Sequence, residues 1–408
     1  MPNKINLKLK CSQMLRFKPF LVISFSLMFN ACQSADLYQF ERIIIDGEIA
    51  DGNGLSLADI DGDGLIDIIK SADASSQFAW YQNPQWTRHL VTSESYYGLA
   101  SAPYDIDGDG DIDLVRESFV DQENPAAGGF LQWLENPGNP SEVQQWPVHT
   151  IAQISAPQRV RWVDVLGNAK KVLVSLPIIT ADKQWPDVGN DSRELLAYPI
   201  PRNPKGKWQS VLLSKQFAQA YAFSMADLNA DKDALLIASA TGVDLLQFAS
   251  GEQLVLQRHL GDGRVAAASM QGSGEVALGR IAGQQFFVAS IEPRLGNELV
   301  VYTGNSTNEL PWERTVIDSN LMQGNALQVA DINNDGNDEI VVGSHANPFA
   351  IYTYRINPDD GLWYRETLGH SRTSVAAIEI ADINGDGRDD IVAIGLDNTD
   401  IILFQSEQ

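Results

Sequence analysis

The sequence predicts an all-β chain folded as a seven-bladed β-propeller of four-stranded blades, closed by an N-terminal strand that pairs with the last blade. Three observations predict it. A nine-residue acidic loop recurs four times between short β-branched runs. A set of four such runs returns about every fifty to sixty residues, a period of blades rather than of helical repeats. The last set lacks its fourth member, and a matching run stands near the start of the chain.

The first loop reads Asp59-Ile-Asp-Gly-Asp-Gly-Leu-Ile-Asp67, with near copies at 105–113, 331–339 and 382–390. Positions 1, 3 and 5 carry side-chain oxygens: Asp59, Asp61, Asp63; Asp105, Asp107, Asp109; Asp331, Asn333, Asp335; Asp382, Asn384, Asp386. Position 7 offers a backbone carbonyl (Leu65, Asp111, Asn337, Arg388), and position 9 returns an acid (Asp67, Asp113, Glu339, Asp390). A hard divalent cation takes roughly six to eight oxygens, and alternate residues of a tight loop can all point inward. Glycine at position 6 (Gly64, Gly110, Gly336, Gly387) permits the positive φ that such a loop needs. An EF-hand loop opens the same way but closes with Glu at position 12. Here that position is Lys70, Arg116, Val342 or Ala393, and the flanks are β-branched runs. The expectation is four structural calcium sites, each in a strand-loop-strand hairpin.

The chain has 408 residues and a formal charge of −24. Nothing in that balance would neutralise phosphates, which excludes a nucleic-acid binder. Lys4, Lys8, Lys10, Arg16 and Lys18 precede an apolar run at 20–29 and then Asn30-Ala31-Cys32. The run is too short to span a bilayer and has the form of a signal peptide. Its end resembles a bacterial lipoprotein signal, with Cys32 as the lipidated residue, although Phe29 and Asn30 depart from the small-residue pattern; the alternative is ordinary cleavage near Ala35 and a secreted protein. The expected organisation is therefore a signal segment at 1–32 and one propeller at 33–408, exported and attached to a membrane only through its lipid. Cys11 falls in the segment to be removed, so no disulfide is expected in the mature domain.

In order along the chain, blade one takes 55–59, 67–72, 78–83 and 86–91, with Asn83-Pro84 before its last strand. Blade two repeats the plan at 99–105, 113–118, 130–136 and 146–151, and Asn136-Pro137 recurs. Blades three, four and five keep the strands and lose the cage: 166–170 carries Lys170, 227–235 has Lys232 for the glycine, and 279–285 has no carboxylate. Blades six and seven restore it. Blade seven ends at 400–404 without a fourth strand, and 38–46 matches the missing one. Pairing the two would remove exposed edges that invite aggregation.

With these loops and flanks in view, the chain resembles FG-GAP/VCBS repeats, the type that builds the seven-bladed head of integrin α-subunits. The resemblance covers nearly all of 38–408 and implies the fold and the calcium. It says less of activity, because such repeats serve adhesins, glycan-binding proteins, polysaccharide lyases and sugar dehydratases.

In a four-stranded antiparallel blade the first-to-second turns, and so all four acidic loops, share one face of the disc. The opposite face collects the long connections, where function concentrates on a rigid scaffold. Extended segments there are 117–129 and 177–193, the latter with Trp185, and the blade-to-blade connections add Tyr96, Tyr97, Gln158, Arg159, Tyr221, Gln323, Asn325, His370 and Arg372. His89, His149 and His259 recur at one position of fourth strands and are expected to be structural. His345 and His370, with Arg372 and Tyr97, are the catalytic candidates, since a base beside an arginine and a tyrosine suits proton abstraction next to a uronate carboxylate. Trp86, Trp146, Trp208, Trp312 and Trp363 start fourth strands at equivalent places and follow the blade period, as packing residues do. The expected function is a monomeric binding or adhesion module for a glycan or protein at the bacterial cell envelope. The alternative is a polysaccharide lyase or sugar dehydratase using the loop-rich face.

Overall fold

Among the described residues, short apolar runs separated by Asp, Gly and Pro turns resolve into 28 strands, grouped in seven four-stranded antiparallel sheets. The structure is a computed structural model and describes residues 40–49, 52–71, 77–93, 100–119, 128–154, 157–164, 170–177, 192–228, 234–248, 255–263, 272–281, 285–304, 310–396 and 399–407. Blade one comprises Gly54–Ala58, Asp67–Ser71, Phe78–Gln82 and Thr87–Thr92; blade two Ser101–Tyr104, Asp113–Phe119, Gly129–Leu134 and Val148–Ile154. Blade three comprises Pro157–Val163, Val172–Pro177, Ser192–Pro199 and Val211–Ala218; blade four Ala222–Ala226, Ala234–Ser239, Gly242–Phe248 and Val255–Gly261. Blade five comprises Glu275–Ile281, Gln285–Glu292, Glu298–Thr303 and Glu313–Asp318; blade six Gly324–Ala330, Glu339–Ser344, Ala350–Asn357 and Leu362–His370. Blade seven is Val375–Ala381, Asp390–Gly395 and Thr399–Ser406, completed by Phe40–Ile49.

The first strand of each blade touches the first strands of both neighbours, and that of blade seven touches that of blade one. The sheets therefore form a closed ring with the first strands around its axis. The core is divided into seven apolar clusters, one at each junction between adjacent blades. Alternation along a strand explains this: Ile68 packs toward blade seven while Ile69 packs toward blade two. Both faces of a second strand are thus buried, which is why it reads as an unbroken apolar run such as Ile340-Val341-Val342. Burying one such side chain is worth about 1.5–3 kcal/mol.

Ring closure follows the expectation. Phe40–Ile49 pairs antiparallel with Thr399–Ser406, from Phe40 opposite Ser406 to Ile49 opposite Thr399. The closing strand also carries the side-chain link of an ordinary fourth strand. Tyr81 of blade one donates to Asp46 at 2.7 Å, as Tyr354 of blade six donates to Asp318 of blade five at 2.7 Å.

Two local expectations are refined. Three tryptophans expected to start fourth strands stand before them, since the strands begin at Val148, Val211 and Glu313. Trp86 likewise sits in the preceding turn with φ 57°. The amides of Trp146 and Trp312 explain the shift, because they bond to Val91 O (3.0 Å) and Leu260 O (2.9 Å) on the fourth strand of the preceding blade. These residues wedge between blades rather than extend their own sheet. Glu117, which the sequence shares between the strand 113–118 and the extended segment 117–129, lies inside the strand Asp113–Phe119 and is fully buried. Segment 178–191, with Trp185, lies outside the described residues.

Removing residues 1–49 should leave Thr399–Ser406 as an open edge. Hydrogen exchange should then turn fast in that strand, with a lowered melting temperature and self-association on size-exclusion chromatography; retained protection would deny Phe40–Ile49 its closing role.

Candidate functional site

The four acidic loops all join first to second strands, so the topology puts them on one face of the ring. Position 1 folds each loop by accepting backbone amides. Asp59 takes Asp63 N (3.1 Å) and Gly64 N (2.9 Å), and Asp382 takes Asp386 N (3.0 Å) and Gly387 N (2.8 Å). Position 4 as well as position 6 is left-handed: Gly62 at φ 73° and Gly64 at 91°, with Asn334 at 58° and Gly336 at 88° in the third loop. A Cβ on Gly64 would meet nothing within 4 Å, so conformation rather than space selects glycine there.

Position 9 does structural work of its own. The buried carboxylates of Asp67, Asp113 and Asp390 each accept the position-2 amide through one oxygen, from Ile60, Ile106 and Ile383 at 2.9, 3.0 and 3.0 Å. Through the other they accept the amides of Asn83, Asn136 and Ser406 at 2.8, 2.8 and 2.7 Å. The Asn-Pro asparagines then link neighbouring loops. Asn83 Nδ2 donates to Ile66 O (3.0 Å) and to Ile383 O of blade seven (2.8 Å), and Asn136 Nδ2 donates to Ile112 O (3.1 Å) and to Ile60 O of blade one (3.0 Å). The asparagine was visible in the sequence only as turn chemistry.

The donor set suits a hard cation. Carboxylate oxygens of Asp59, Asp61 and Asp67 lie within 4.8 Å of one another, and so do those of Asp105, Asp107 and Asp109. Asp107 Oδ1 and Asp111 Oδ1 are buried without a hydrogen-bond partner among the described residues, an arrangement that is costly unless a positive group approaches. Burial, reinforced by neighbouring carboxylates, pushes Asp67 and Asp113 up to about 7 and Asp111 up to about 6.

A second polar cluster occupies the axis. First strands of six blades, with Asn53 just before that of blade one and Ala100 just before that of blade two, surround a cavity of ≈ 250 Å³. Blade three contributes Arg159 and Arg161, blade five Glu275, blade six Gln328 and blade seven Glu379. Arg159 pairs with Glu275. Arg161 lies 3.5 Å from Glu379, to which Gln328 Nε2 also donates at 3.3 Å. Blade three adjoins neither blade five nor blade seven, so both ion pairs reach across the axis. Burial raises Glu275 and Glu379, and the arginines oppose that rise.

Two further charges stand beside this cluster. Arg294, in the second-to-third turn of blade five, lies over the Tyr221 ring at 5.3 Å; burial lowers its pKa, and Glu275 is among the groups that raise it. Glu117 accepts from Ser175 at 2.9 Å, its Oε2 has no partner among the described residues, and burial pushes it up to about 8 against the charges of Arg161 and Arg159.

The candidates from sequence fall as follows. Arg159 and Tyr221 belong to the axial cluster or adjoin it, whereas Arg161, Glu275, Glu379 and Arg294 were not singled out. Their signal was a charge set among apolar residues of a first strand, as in Arg159-Val-Arg161. His345 shares a hydrogen bond with Ser374, and His370 donates to Pro348 O at 3.1 Å. Arg372 donates to Gly47 O at 2.5 Å and lies 3.9 Å from Asp400. Each is tied to the scaffold, and its partners are scaffold groups rather than one another. Tyr97 and Cys32 lie outside the described residues. His89 stacks on Trp80 at 4.6 Å and His149 on Trp133 at 4.4 Å, while His259 lies 3.1 Å from Asp244.

An FG-GAP-like repeat family model matches residues 59–116 and 331–393, the two stretches that contain all four acidic loops. The chain is an FG-GAP-repeat β-propeller. A second family model, the β-propeller domain of aldos-2-ulose dehydratase, matches residues 128–305 of this FG-GAP propeller. No curated protein matches the chain. Among solved structures, BBS1N in complex with ARL6DN has a TM-score of 0.53 at 12% identity over 90% of this chain and 96% of that one. A lectin from Agrocybe aegerita, solved for its recognition of non-reducing terminal N-acetylglucosamine, has a TM-score of 0.48 at 12% identity over 79% of this chain and 81% of that one. At such identity the first likeness is one of fold.

Asp67→Ala should lower stability by about 2–4 kcal/mol even in excess chelator, because two buried amides lose their acceptor; urea unfolding measures it. Glu117 gives a pH dependence of definite sign. Its folded pKa of about 8 lies above the usual 4.5, so the folded state holds the extra proton and stability falls as pH rises across that interval. Glu117→Gln should therefore gain melting temperature relative to the parent as pH is raised from 5 to 9, and a constant difference would contradict the assignment.

Proposed function

We propose that this FG-GAP propeller is an exported, calcium-stabilised binding module of the bacterial cell envelope, which takes a glycan or protein ligand on the face opposite its acidic loops. The axial cavity carries the binding part of this proposal. It holds two ion pairs together with Asn53, Ser224 and Gln328, and it lies along the first strands, which begin at the blade-to-blade connections. Charged groups at the axis add nothing to the apolar packing between blades, and they present donors and acceptors to a polar ligand.

Calcium would be held by the odd positions of the four loops: Asp59, Asp61, Asp63, the Leu65 carbonyl and Asp67 in blade one, and their counterparts in blades two, six and seven. The unpartnered oxygens of Asp107 and Asp111 support this. The ion would screen carboxylates that otherwise repel, on the face away from the ligand. Export and lipidation at Cys32 rest on the N-terminal sequence alone.

The carbohydrate-enzyme reading has one observation in its favour. The match to the aldos-2-ulose dehydratase propeller spans 128–305, which includes Arg159, Arg161, Tyr221, Glu275 and Arg294. Against a catalytic role, Glu275 and Glu379 are each held by an arginine and so lack the freedom of a general base.

Excess chelator should lower the melting temperature by several degrees, with restoration on adding calcium above its dissociation constant; an unchanged curve would remove calcium from the proposal. Capture of the full chain on glycan and protein arrays reads out binding. Ultraviolet absorbance from unsaturated products with anionic polysaccharides would move the assignment to a lyase.

A further inference from the structure

We propose that the axial cavity is a pocket for a single neutral sugar unit, its hydroxyls bridging the Arg159–Glu275 and Arg161–Glu379 pairs. This rests on the binding-module reading above and names its ligand class.

Charge balance comes first. The cavity is lined by two guanidinium groups and two carboxylates, so an anionic ligand would face Glu275 and Glu379, and a cationic one Arg159 and Arg161. A hydroxyl meets both demands, because it donates to a carboxylate while accepting from a guanidinium. The charge of −24 on the whole chain further disfavours acidic glycans.

Unmet hydrogen bonding points the same way. Arg159 Nε and Ser224 Oγ belong to residues of the cavity wall, and both atoms are buried without a partner among the described residues. The first is a donor and the second can act either way, which again matches a hydroxyl-bearing guest. Met225 on the same strand is 44% exposed although it stands at the axis, and it offers an apolar surface for the C–H face of a ring. Small side chains at Ala277, Ala326 and Ala377 keep the lumen open.

Size sets the limit. A volume of ≈ 250 Å³ equals that of about eight waters and lies below the usual range for drug-sized ligands. One sugar unit fits; an oligosaccharide could insert only its end.

The probes are glucose, galactose and N-acetylglucosamine, with glucuronate and glucosamine as their charged counterparts, titrated into the full chain by calorimetry and ligand-observed NMR. At least one neutral sugar should bind, and its charged counterpart about tenfold more weakly or not at all. Ser224→Ala should weaken the neutral sugar about threefold to tenfold, and Met225→Trp, which fills the lumen from an exposed position, should abolish binding with the melting temperature kept. Equal binding of charged and neutral sugars, indifference to both variants, or silence of all neutral sugars would each overturn the proposal. Array capture separates the two levels: capture that survives Met225→Trp leaves a binding module with its ligand elsewhere, whereas empty arrays remove the module as well.

Discussion

The constraint on which everything else depends is that no blade has a finished core of its own. Each sheet buries one face against the blade before it and the other against the blade after it, so a blade is stable only between two neighbours. A linear stack would leave an apolar face and an open edge at each end. Ring closure removes both, and it does so through ten residues at the start of the described chain. Phe40–Ile49 supplies backbone pairing to Thr399–Ser406 and, through Asp46, the tyrosine link that joins adjacent blades. Arg372 then holds Gly47 from the neighbouring connection, which accounts for an arginine that otherwise looks like a binding residue.

That ring has two distinct polar regions, and they divide the work. On one face the acidic loops are braced by the position-9 carboxylates and by Asn83 and Asn136, which reach into the loop of the preceding blade. A cation in one loop would therefore steady two blades. At the axis, by contrast, the charges are of both signs and pair across the lumen. The first region is a set of repeated local motifs, each complete within one hairpin. The second exists only when blades three, five, six and seven are brought together.

This difference explains how legible each was. The loops were readable because their donors fall within nine consecutive residues, and Gly64 or Gly110 marks a backbone conformation that other residues avoid. Blade number, strand order and the closing strand were readable because the period of the sequence is the period of the fold. The axial site was hardly legible. Arg159 and Glu275 are separated by 116 residues, and nothing local announces that they meet. Glu117 stood where strand and extended segment overlap in the sequence; burial against Ser175 in the next blade keeps it inside the strand. Strands were started early at Trp146 and Trp312 because their amides attach to the previous blade, a contact that strand pattern does not encode.

Sequence alone determined the all-β class, the blades, their closure and the acidic cages, since each of these follows from short-range periodicity and local backbone preference. Tertiary structure decided which charges share the axis, that the position-9 acids serve the backbone, and that His345, His370 and Arg372 are tied to the scaffold. The physical reason is distance along the chain: hydrogen bonds within a hairpin are written in adjacent residues, whereas ion pairs across a ring depend on where seven sheets place their inner strands.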